Sequence, residues 1–589
     1  MKKCSRTALV AIGLFSFSSI PTIATAQVSG SLAANYDSQE QSSEAIEPVL
    51  NANEQRLYTA VFDAIERQQW QQVEQLLAQN PDGVLHQVAL AEYYTHAKSP
   101  KVSPGQIHEW FAMGVHLPQT EQLARMGKKR GVENLPDAPK AQSFQRQPYA
   151  SKRIRPRTVN DGTMPSSAKS KILSAIKDDN PQGAYETLAQ VDSGLSSEAR
   201  AEWRQKVAWS FYIENDDANA LALAEQVSEG SGPWVAEGEW VAGLAAWRLG
   251  YCALSGEAFA RSAQGASNVE LRTAAHYWAN RALVRCREPG RAQEHLRAAA
   301  RDHETLYGML AADQLGMDLP LGAMAQPLTK SDWRQLEGLY NVRVATGLVQ
   351  IGRTSLADEV LRHQARVGDP SEYPALSRLA RELGLPSTQL FMAHNAPYGQ
   401  RSDIALRYPV ASWKPVTGWR VDPALAFAHA LQESNFRAGA VSPANARGLM
   451  QIMPGTARDH NRRLNLGASY SDLNDPSVNL AYGQQHLEML RDHPATRGQL
   501  PKIMAAYNAG LTPISRWNTE INDQGDALLW MESIPYWETR GYVAIVMRNY
   551  WMYERAAGVT NSPSRRALAQ GQWPQFPRAA TARSARLER

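Results

Sequence analysis

Apolar residues recur at intervals of three and four positions over most of the chain. In residues 55–96, for example, Leu57, Val61 and Ile65 share this spacing. It is the pattern of an α-helix that buries one face, because 3.6 residues complete each helical turn. Alternating strand-type patterns are scarce, so the sequence predicts an all-α protein.

The middle of the chain shows the same pattern in paired segments. Helices are predicted from near Ala168 to about His394, with Gly or Pro between them and faces rich in Ala, Leu and Trp. Residues 257–260 and 293–296 hold matching positions in successive pairs, about 36 residues apart. Each pair would bury its apolar face on the next pair. This region is therefore predicted to form a helical-repeat superhelix.

The length of 589 residues suits about three or four domains. Changes in composition along the chain set the predicted boundaries. These are a signal peptide (1–26), an N-terminal helical region (27–126), a basic flexible linker (127–168), the superhelix (169–400, with a joining region near 302–400), a C-terminal domain (401–560) and a disordered tail (561–589).

The N-terminus has the three parts of a cleavable export signal. A cationic start is followed by an apolar stretch over about 8–23, and residues 24–26 have the small side chains that a signal peptidase needs. Ser, Thr and Pro21 interrupt this stretch, so it suits a membrane anchor poorly. We expect a protein exported to the periplasm with no integral membrane segment.

The predicted linker is strongly basic and contains Pro, Ser and Gln but no apolar periodicity. Residues 128–130 and 152–157 hold most of its cations. Such a segment is expected to be a solvated, mobile connection. Contact with a nucleic acid or another anionic polymer is the alternative.

Net charge and cysteine content limit which partners and which covalent cross-links the sequence predicts. The formal net charge is only +4, and three cations belong to the predicted signal, so there is no electrostatic case for nucleic acid as the main partner. The exported chain keeps Cys252 and Cys286, which lie about one helix pair apart. In an oxidising compartment they are predicted to form a disulfide, with two free buried thiols as the alternative.

One acidic residue stands out near the end of a predicted helix. Asp422 and Pro423 are typical of a helix start, and the helix over 424–435 places Glu433 in its last turn. There the helix dipole disfavours a carboxylate, and an apolar cleft would raise its pKa further. A carboxyl group that stays protonated near neutral pH is suited to protonating a glycosidic oxygen.

Four separated motifs follow in order along the chain. They are Glu433-Ser434, then 448–457 (GLMQIMPGTA), then 505–510 (AAYNAG), and finally 532–543 (ESIPYWETRGYV). This set resembles the catalytic domain of the soluble lytic transglycosylases of bacterial cell walls, over about residues 410–557. The resemblance implies a lysozyme-like, mostly helical fold after the superhelix. Residues 304–316 also resemble the region that joins the superhelix to the catalytic domain in the large periplasmic members.

The resemblance implies a single acid/base, Glu433. It would cleave the bond between N-acetylmuramic acid and N-acetylglucosamine in peptidoglycan and close a 1,6-anhydro ring on the muramic acid without water. The family motifs also imply substrate-binding positions. They are Ser442 and Gln451 near the sugar acetamido group, Met453 against a sugar face, Tyr507 near the reacting centre and Glu532 as a second cleft carboxylate.

Metal and cofactor chemistry are not expected. The histidines show no spacing typical of metal ligands, and the sequence has no Walker loop or nucleophile elbow. The expected partners are peptidoglycan glycan strands and, as candidates, other proteins of the cell-wall machinery; the oligomeric state is left open. The alternative functions are a hydrolytic, lysozyme-type muramidase and a non-catalytic wall-binding helical scaffold.

Overall fold

The computed structural model of the chain describes residues 46–317, 327–466 and 470–577. Within these ranges the protein is helical apart from two three-residue strands, which confirms the predicted all-α fold class. The predicted signal peptide lies outside the described residues. No helix within them is long and apolar enough to cross a membrane.

The first elements precede the predicted linker or lie within it. They are α1 (Ala52–Glu66), α2 (Trp70–Leu77), α3 (His86–Thr95), α4 (Pro104–Ala112), α5 (Thr120–Lys129) and β1 (Phe144–Arg146). Helix α1 begins with a capping box: the Asn51 side chain accepts from the Glu54 N–H at 3.1 Å, and Glu54 accepts from the Asn51 N–H at 3.0 Å.

The second group forms the superhelix. It comprises α6 (Ser166–Lys177), α7 (Pro181–Ala189), α8 (Ser197–Ile213), α9 (Asp217–Glu225), α10 (Trp234–Arg248), α11 (Cys252–Gly265), α12 (Val269–Arg285), α13 (Pro289–Ala300) and α14 (Leu306–Gln314). Neighbouring helices from α8 to α14 pack on one another, as the repeat pattern predicted. Edge-to-face contacts between large rings, such as Trp240 with Trp278, fill the space between them.

The third and fourth groups complete the chain. The third is α15 (Lys330–Leu336), α16 (Tyr340–Gln350), α17 (Thr354–Val367), α18 (Tyr373–Glu382), α19 (Pro386–His394) and β2 (Asn395–Pro397). The fourth is α20 (Pro423–Ser434), α21 (Pro454–Leu464), α22 (Pro476–Asp492), α23 (Leu500–Ala509), α24 (Leu511–Glu520), α25 (Ala527–Glu532), α26 (Trp537–Ala556) and α27 (Pro563–Ala569). Short 3₁₀ turns link some of these helices.

Two hydrophobic cores divide the chain differently from the predicted boundaries. One core joins α1–α5 to α15–α19, two groups that are separated by the whole superhelix in sequence. The other joins the superhelix to the C-terminal domain. Residues 328–396, which the sequence analysis assigns to the superhelical unit 169–400, pack their apolar faces against the N-terminal helices.

The predicted linker makes contacts with distant parts of the chain over residues 141–161, which we call the strap. Strand β1 pairs antiparallel with β2, so the strap is anchored to the third helical group. Farther along, the guanidinium of Arg153 lies 4.5 Å from the ring centroid of Trp240 and forms ion pairs with Glu237 and Glu532. These partners are distant in sequence, so local composition could not reveal them.

The predicted disordered tail is ordered up to residue 577. Helix α27 packs into the core through Leu568, and Arg565 forms a 3.0 Å ion pair with Asp313 of the superhelix. The Leu500 N–H also donates to the Pro574 carbonyl at 2.8 Å. The Arg- and Ala-rich composition of the tail gave no indication of these contacts. Residues 578–589 lie outside the described residues.

The predicted disulfide is confirmed. Cys252 begins α11 and Cys286 follows the last residue of α12, and the bridge joins them with their Cα atoms 5.5 Å apart. The bridge therefore links two neighbouring helices of the superhelix.

Replacing both cysteines by alanine is expected to lower the free energy of unfolding. The closed loop spans a sequence separation of 34 residues, and freeing a loop of that size in the unfolded chain costs about 4 kcal/mol of stability. Chemical denaturation of the oxidised wild type and the double variant measures the difference. An unchanged unfolding midpoint would contradict a stabilising bridge.

Candidate active site

Helix α20 positions Glu433. Asp422 caps the helix by accepting a 2.9 Å hydrogen bond from the Ala424 N–H, and Pro423 occupies the first turn, as predicted. The Tyr550 hydroxyl donates to the other oxygen of Asp422 at 3.1 Å, which ties α20 to the long helix α26. Most of α20 is buried, so Glu433 projects from a rigid element.

The chain turns sharply just after Glu433. Asn435 and Phe436 both adopt left-handed backbone conformations, with φ of 51° and 58°. Such a conformation is unfavourable for a bulky residue such as Phe. Phe436 is nevertheless buried and packs near Phe427 of α20. Burial of this ring holds the turn that ends the helix beside Glu433.

Glu433 is half-buried and accepts a hydrogen bond from Tyr542 of α26. The distance from the Tyr542 hydroxyl to Glu433 Oε1 is 2.7 Å. Burial raises the pKa of Glu433 to about 7, with a smaller upward contribution from the charge of Glu538, while the Tyr542 hydrogen bond acts in the opposite direction. The carboxyl group is therefore close to half protonated at neutral pH.

A buried aromatic group lies behind Glu433. His429 lies one turn earlier on α20. The centroid of its ring is 4.8 Å from the ring centroid of Tyr507 and 6.2 Å from that of Tyr542. Burial lowers the pKa of His429 to about 4, so this ring is neutral at pH 7. The Tyr507 hydroxyl donates to the Met450 carbonyl at 2.7 Å. The predicted residue Tyr507 thus lies in the same cluster as Glu433.

The loop before α21 supplies three more predicted positions. Ser442 is half-buried, and its hydroxyl accepts from the Ala446 N–H at 3.0 Å. Gln451 has a φ of 48°, and its amide nitrogen donates to the carbonyls of Ala440 and Gly448. Met453 is 41% exposed at the start of α21. Ser442 and Gln451 therefore brace the loop, and Met453 presents an apolar surface to solvent.

Gly448 is required by the fold of this loop. Its φ is 76°, and a Cβ atom there would lie 2.2 Å from both the Asn479 amide nitrogen and the Leu473 carbonyl oxygen. The Asn479 side chain accepts from the Met450 N–H and donates to the Arg447 carbonyl. One buried asparagine thus organises the loop and leaves no room for a side chain at position 448.

The predicted cleft carboxylate, Glu532, has its partners outside the cluster around Glu433. This residue is buried between the C-terminal domain and the superhelix, where the Tyr307 hydroxyl donates to its Oε1 at 2.7 Å. Its other oxygen lies 3.6 Å from Arg153 of the strap. These contacts join Glu532 to the superhelix and to the strap, and its role in substrate binding stays a prediction.

The structure adds Tyr542 to the predicted site. Its position in the motif 532–543 was visible in the sequence, but nothing local indicated that it would reach Glu433 across 109 residues. Within the described ranges, no group of three or more His, Cys, Asp and Glu side chains is arranged to hold a metal ion. The chemistry of the cluster therefore centres on one carboxyl group with a tuned pKa.

Replacing Tyr542 by phenylalanine is expected to raise the pKa of Glu433. The hydroxyl donates to the ionised carboxylate, so its loss destabilises the charged form, by about one pKa unit. If Glu433 acts as a general acid, the high-pH fall in kcat/KM should move upward by the same amount. A pH–rate profile measures this shift. A high-pH fall that stays in place or moves to lower pH would contradict the assignment of Glu433 as the general acid.

The C-terminal domain matches a known domain family. Residues 413–529 fit the family model of the transglycosylase SLT domain. The putative soluble lytic murein transglycosylase of Haemophilus influenzae is 29% identical over 265 residues, 42% of this chain and 42% of that protein. The soluble lytic murein transglycosylase of Escherichia coli K12 is 35% identical over 133 residues, 22% of this chain and 20% of that protein. The chain therefore aligns with less than half of either relative.

A solved structure shares the overall fold. The 70 kDa soluble lytic transglycosylase of Escherichia coli superposes with a TM-score of 0.52 at 16% identity, over 90% of this chain and 100% of that chain. This likeness confirms the class predicted from the sequence, an all-α superhelix followed by a lysozyme-like domain. The residues that match the transglycosylase SLT domain model include Glu433, Ser442, Gln451 and Tyr507.

Proposed function

We propose that this protein is a peptidoglycan lytic transglycosylase in which Glu433 is the only acid/base. The observation that carries the proposal is the half-buried carboxyl group with a pKa of about 7, held by Tyr542 in a domain of the SLT family. A group with this pKa is suited to both donating and accepting a proton near neutral pH.

In the first step, protonated Glu433 gives its proton to the oxygen between N-acetylmuramic acid and N-acetylglucosamine. The glycosidic bond breaks as positive charge develops on the anomeric carbon of the muramic acid. The ionised carboxylate that remains is stabilised by the hydrogen bond from Tyr542. Tyr542 thus favours the ionised state of Glu433 that proton transfer produces.

In the second step, the carboxylate of Glu433 accepts the proton of the muramoyl 6-hydroxyl. The oxygen of that hydroxyl attacks the anomeric carbon and closes a 1,6-anhydro ring, so no water is consumed. Glycosidases of the common types use two carboxylates that flank the scissile bond. Among the described residues, the exposed Glu538 is the charged group whose electrostatic effect raises the pKa of Glu433.

The other predicted substrate positions have supporting roles in this proposal. Tyr507, whose hydroxyl is fixed by the Met450 carbonyl, would steady the sugar near the reacting centre. Met453 would pack against an apolar sugar face. Ser442 and Gln451 would meet the acetamido region with the polar atoms that do not brace the loop.

The superhelix and the cellular location follow from the same proposal. The glycan strand would be held along the helical region while its end reaches Glu433. The substrate lies in the periplasm, and the predicted export signal over 1–26 would deliver the protein there.

Mass spectrometry of digested sacculi tests the proposal against a lysozyme-type muramidase. The expected products are muropeptides that end in 1,6-anhydro-muramic acid. A muramidase would use water as the nucleophile and leave reducing ends, each heavier by one water molecule. Reducing ends as the main initial product would overturn the transglycosylase proposal in favour of hydrolysis.

A further inference from the structure

His429 is a fully buried side chain that the proposed mechanism leaves without a role. It lies one turn before Glu433 on α20, and its exposed fraction is 0%. Positions four residues apart share one face of a helix, so the imidazole lies on the same side of α20 as the Glu433 carboxyl group. An aliphatic side chain would fill this buried space without bringing polar atoms into it.

The proton of the imidazole is fixed by a hydrogen bond within the helix. His429 Nδ1 lies 2.8 Å from the carbonyl oxygen of Leu425. A carbonyl oxygen can only accept, so Nδ1 carries the hydrogen. The ring is neutral at pH 7, because burial lowers its pKa to about 4, and the lone pair therefore lies on Nε2.

Nε2 of His429 is thus an acceptor without a donor. The atom is buried, and it has no partner among the described residues. An unpaired buried acceptor costs free energy, so such an atom in a well-packed site calls for an explanation. The hydroxyl groups around the ring decide which donor this nitrogen serves.

Two tyrosine hydroxyls lie near the imidazole. The ring centroids of Tyr507 and Tyr542 are 4.8 Å and 6.2 Å from that of His429. The Tyr507 hydroxyl donates to the Met450 carbonyl at 2.7 Å, an acceptor that is the same at every pH. The Tyr542 hydroxyl donates to Glu433 Oε1 at 2.7 Å, and this carboxyl group gains a hydrogen when it is protonated. Tyr542 is therefore the hydroxyl whose partner changes with pH.

Protonation of Glu433 on Oε1 reverses the direction of this hydrogen bond. The carboxyl O–H then donates to the Tyr542 oxygen, and the hydrogen of the tyrosine must turn to another acceptor. Burial raises the pKa of Tyr542 well above its usual value, so the hydroxyl keeps its hydrogen throughout. Nε2 of His429, which is buried near this ring, can supply the second acceptor.

We propose that His429 is a positioning residue, whose Nε2 accepts the Tyr542 hydroxyl in the free enzyme whenever Glu433 is protonated. The inference rests on the proposed function, in which Glu433 must carry a proton before the glycan strand binds. The chain from Glu433 through Tyr542 to His429 stabilises the protonated carboxyl group, and no proton leaves the site when the bonds reverse. When the strand binds, the glycosidic oxygen replaces Tyr542 as the acceptor of the carboxyl proton.

The buried titratable groups on the neighbouring helices stay uncharged near pH 7. Burial lowers the pKa of His486 on α22 to about 3 and also lowers that of His460 on α21, whose Nε2 lies 3.1 Å from His486 Nδ1. Burial raises the pKa of Tyr507 on α23 well above its usual value. The described charge that acts on Glu433 is the exposed Glu538 of α26. A titration of this buried cluster near neutral pH therefore belongs to Glu433.

The first test observes the wild type without substrate. In the full chain labelled with ¹⁵N-histidine, the Nε2 resonance of His429, assigned by its loss in His429→Gln, reports whether this nitrogen accepts a hydrogen bond. We expect the resonance to move with the protonation of Glu433, at about pH 7, and to stay in place in Glu433→Gln and in Tyr542→Phe. A wild-type resonance that does not move, or a movement that persists in Tyr542→Phe, would overturn the inference.

The second test separates the acceptor from the packing of the ring. His429→Phe keeps an aromatic ring but removes Nε2, whereas His429→Gln brings an amide oxygen that can accept. The pH dependence of kcat/KM reports the pKa of the free enzyme. We expect its high-pH fall to move to lower pH by about 0.5–1 unit in His429→Phe, because the protonated state of Glu433 loses one hydrogen bond. The fall should stay near its wild-type position in His429→Gln.

A double variant shows whether His429 acts through Tyr542. In a Tyr542→Phe background the chain is already broken, so His429→Phe should not move the high-pH fall any further. A role limited to packing would lower kcat/KM by the same factor at every pH. An unmoved fall in His429→Phe, or an equal movement in the Tyr542→Phe background, would overturn the inference.

Failure of the proposed function gives a different result. In that case no anhydro ends form and no pH–rate profile exists, but the ¹⁵N titration still decides whether the hydrogen-bond chain is present. Anhydro ends together with a resonance that does not move would leave the proposed function in place and remove the inference. If His429→Phe does not fold, the titrations of the wild type and Tyr542→Phe decide alone.

Discussion

Glu433→Gln is expected to lower turnover of peptidoglycan by about 10³-fold, within the usual range for a general acid–base group. The amide has nearly the same shape and keeps an oxygen that can accept from Tyr542. It cannot donate a proton of comparable acidity or accept one afterwards. Release of soluble muropeptides from purified sacculi measures the loss, while strand binding should persist.

The matched control is Glu520→Gln, in the same domain. Glu520 is exposed and pairs only with exposed Arg516 at 3.1 Å, so this change should leave turnover within twofold. Activity of the Glu433 variant within tenfold of the wild type would reject the single acid/base mechanism.

The second large effect is expected from Arg153→Ala in the strap. Arg153 lies between Glu237 at 3.2 Å and Glu532 at 3.6 Å, and its side chain is only 16% exposed. Removing one partner of a buried ionic group leaves uncompensated charge, which costs about 3–5 kcal/mol. Chemical denaturation should show an earlier unfolding midpoint, and limited proteolysis should cut the strap.

Arg157→Ala is the control for the strap. The Arg157 side chain is exposed, and its carbonyl, which the substitution keeps, accepts from the Trp234 indole at 2.9 Å. Its effect should stay within about 0.5 kcal/mol. Equal, small effects of both substitutions would show that the strap contributes little to stability.

Local signals in the sequence were sufficient to predict the helices and the residues at the centre of the candidate active site. Asp422 and Pro423 predicted the start of α20, and the family motifs predicted that Glu433 and Tyr507 serve one site; the structure places both in one cluster. The raised pKa of Glu433 also agrees in direction with the expectation, and burial is its largest cause.

Contacts between distant segments were not predictable from composition or spacing. The arginines of the strap looked solvated because their partners, such as Glu237 and Trp240, lie more than 80 residues away. Glu532 looked like a cleft residue because its motif is shared with the family, yet Tyr307 and Arg153 enclose it. Patterns along a chain identify buried faces but not the faces against which they pack.

The most direct test of the central claim is digestion of sacculi in water enriched in ¹⁸O. If the muramoyl 6-hydroxyl is the nucleophile and Glu433 only moves protons, the first products contain 1,6-anhydro ends and no ¹⁸O. Incorporation of one ¹⁸O atom at the anomeric carbon of each new end would show that water attacks, and would contradict this account.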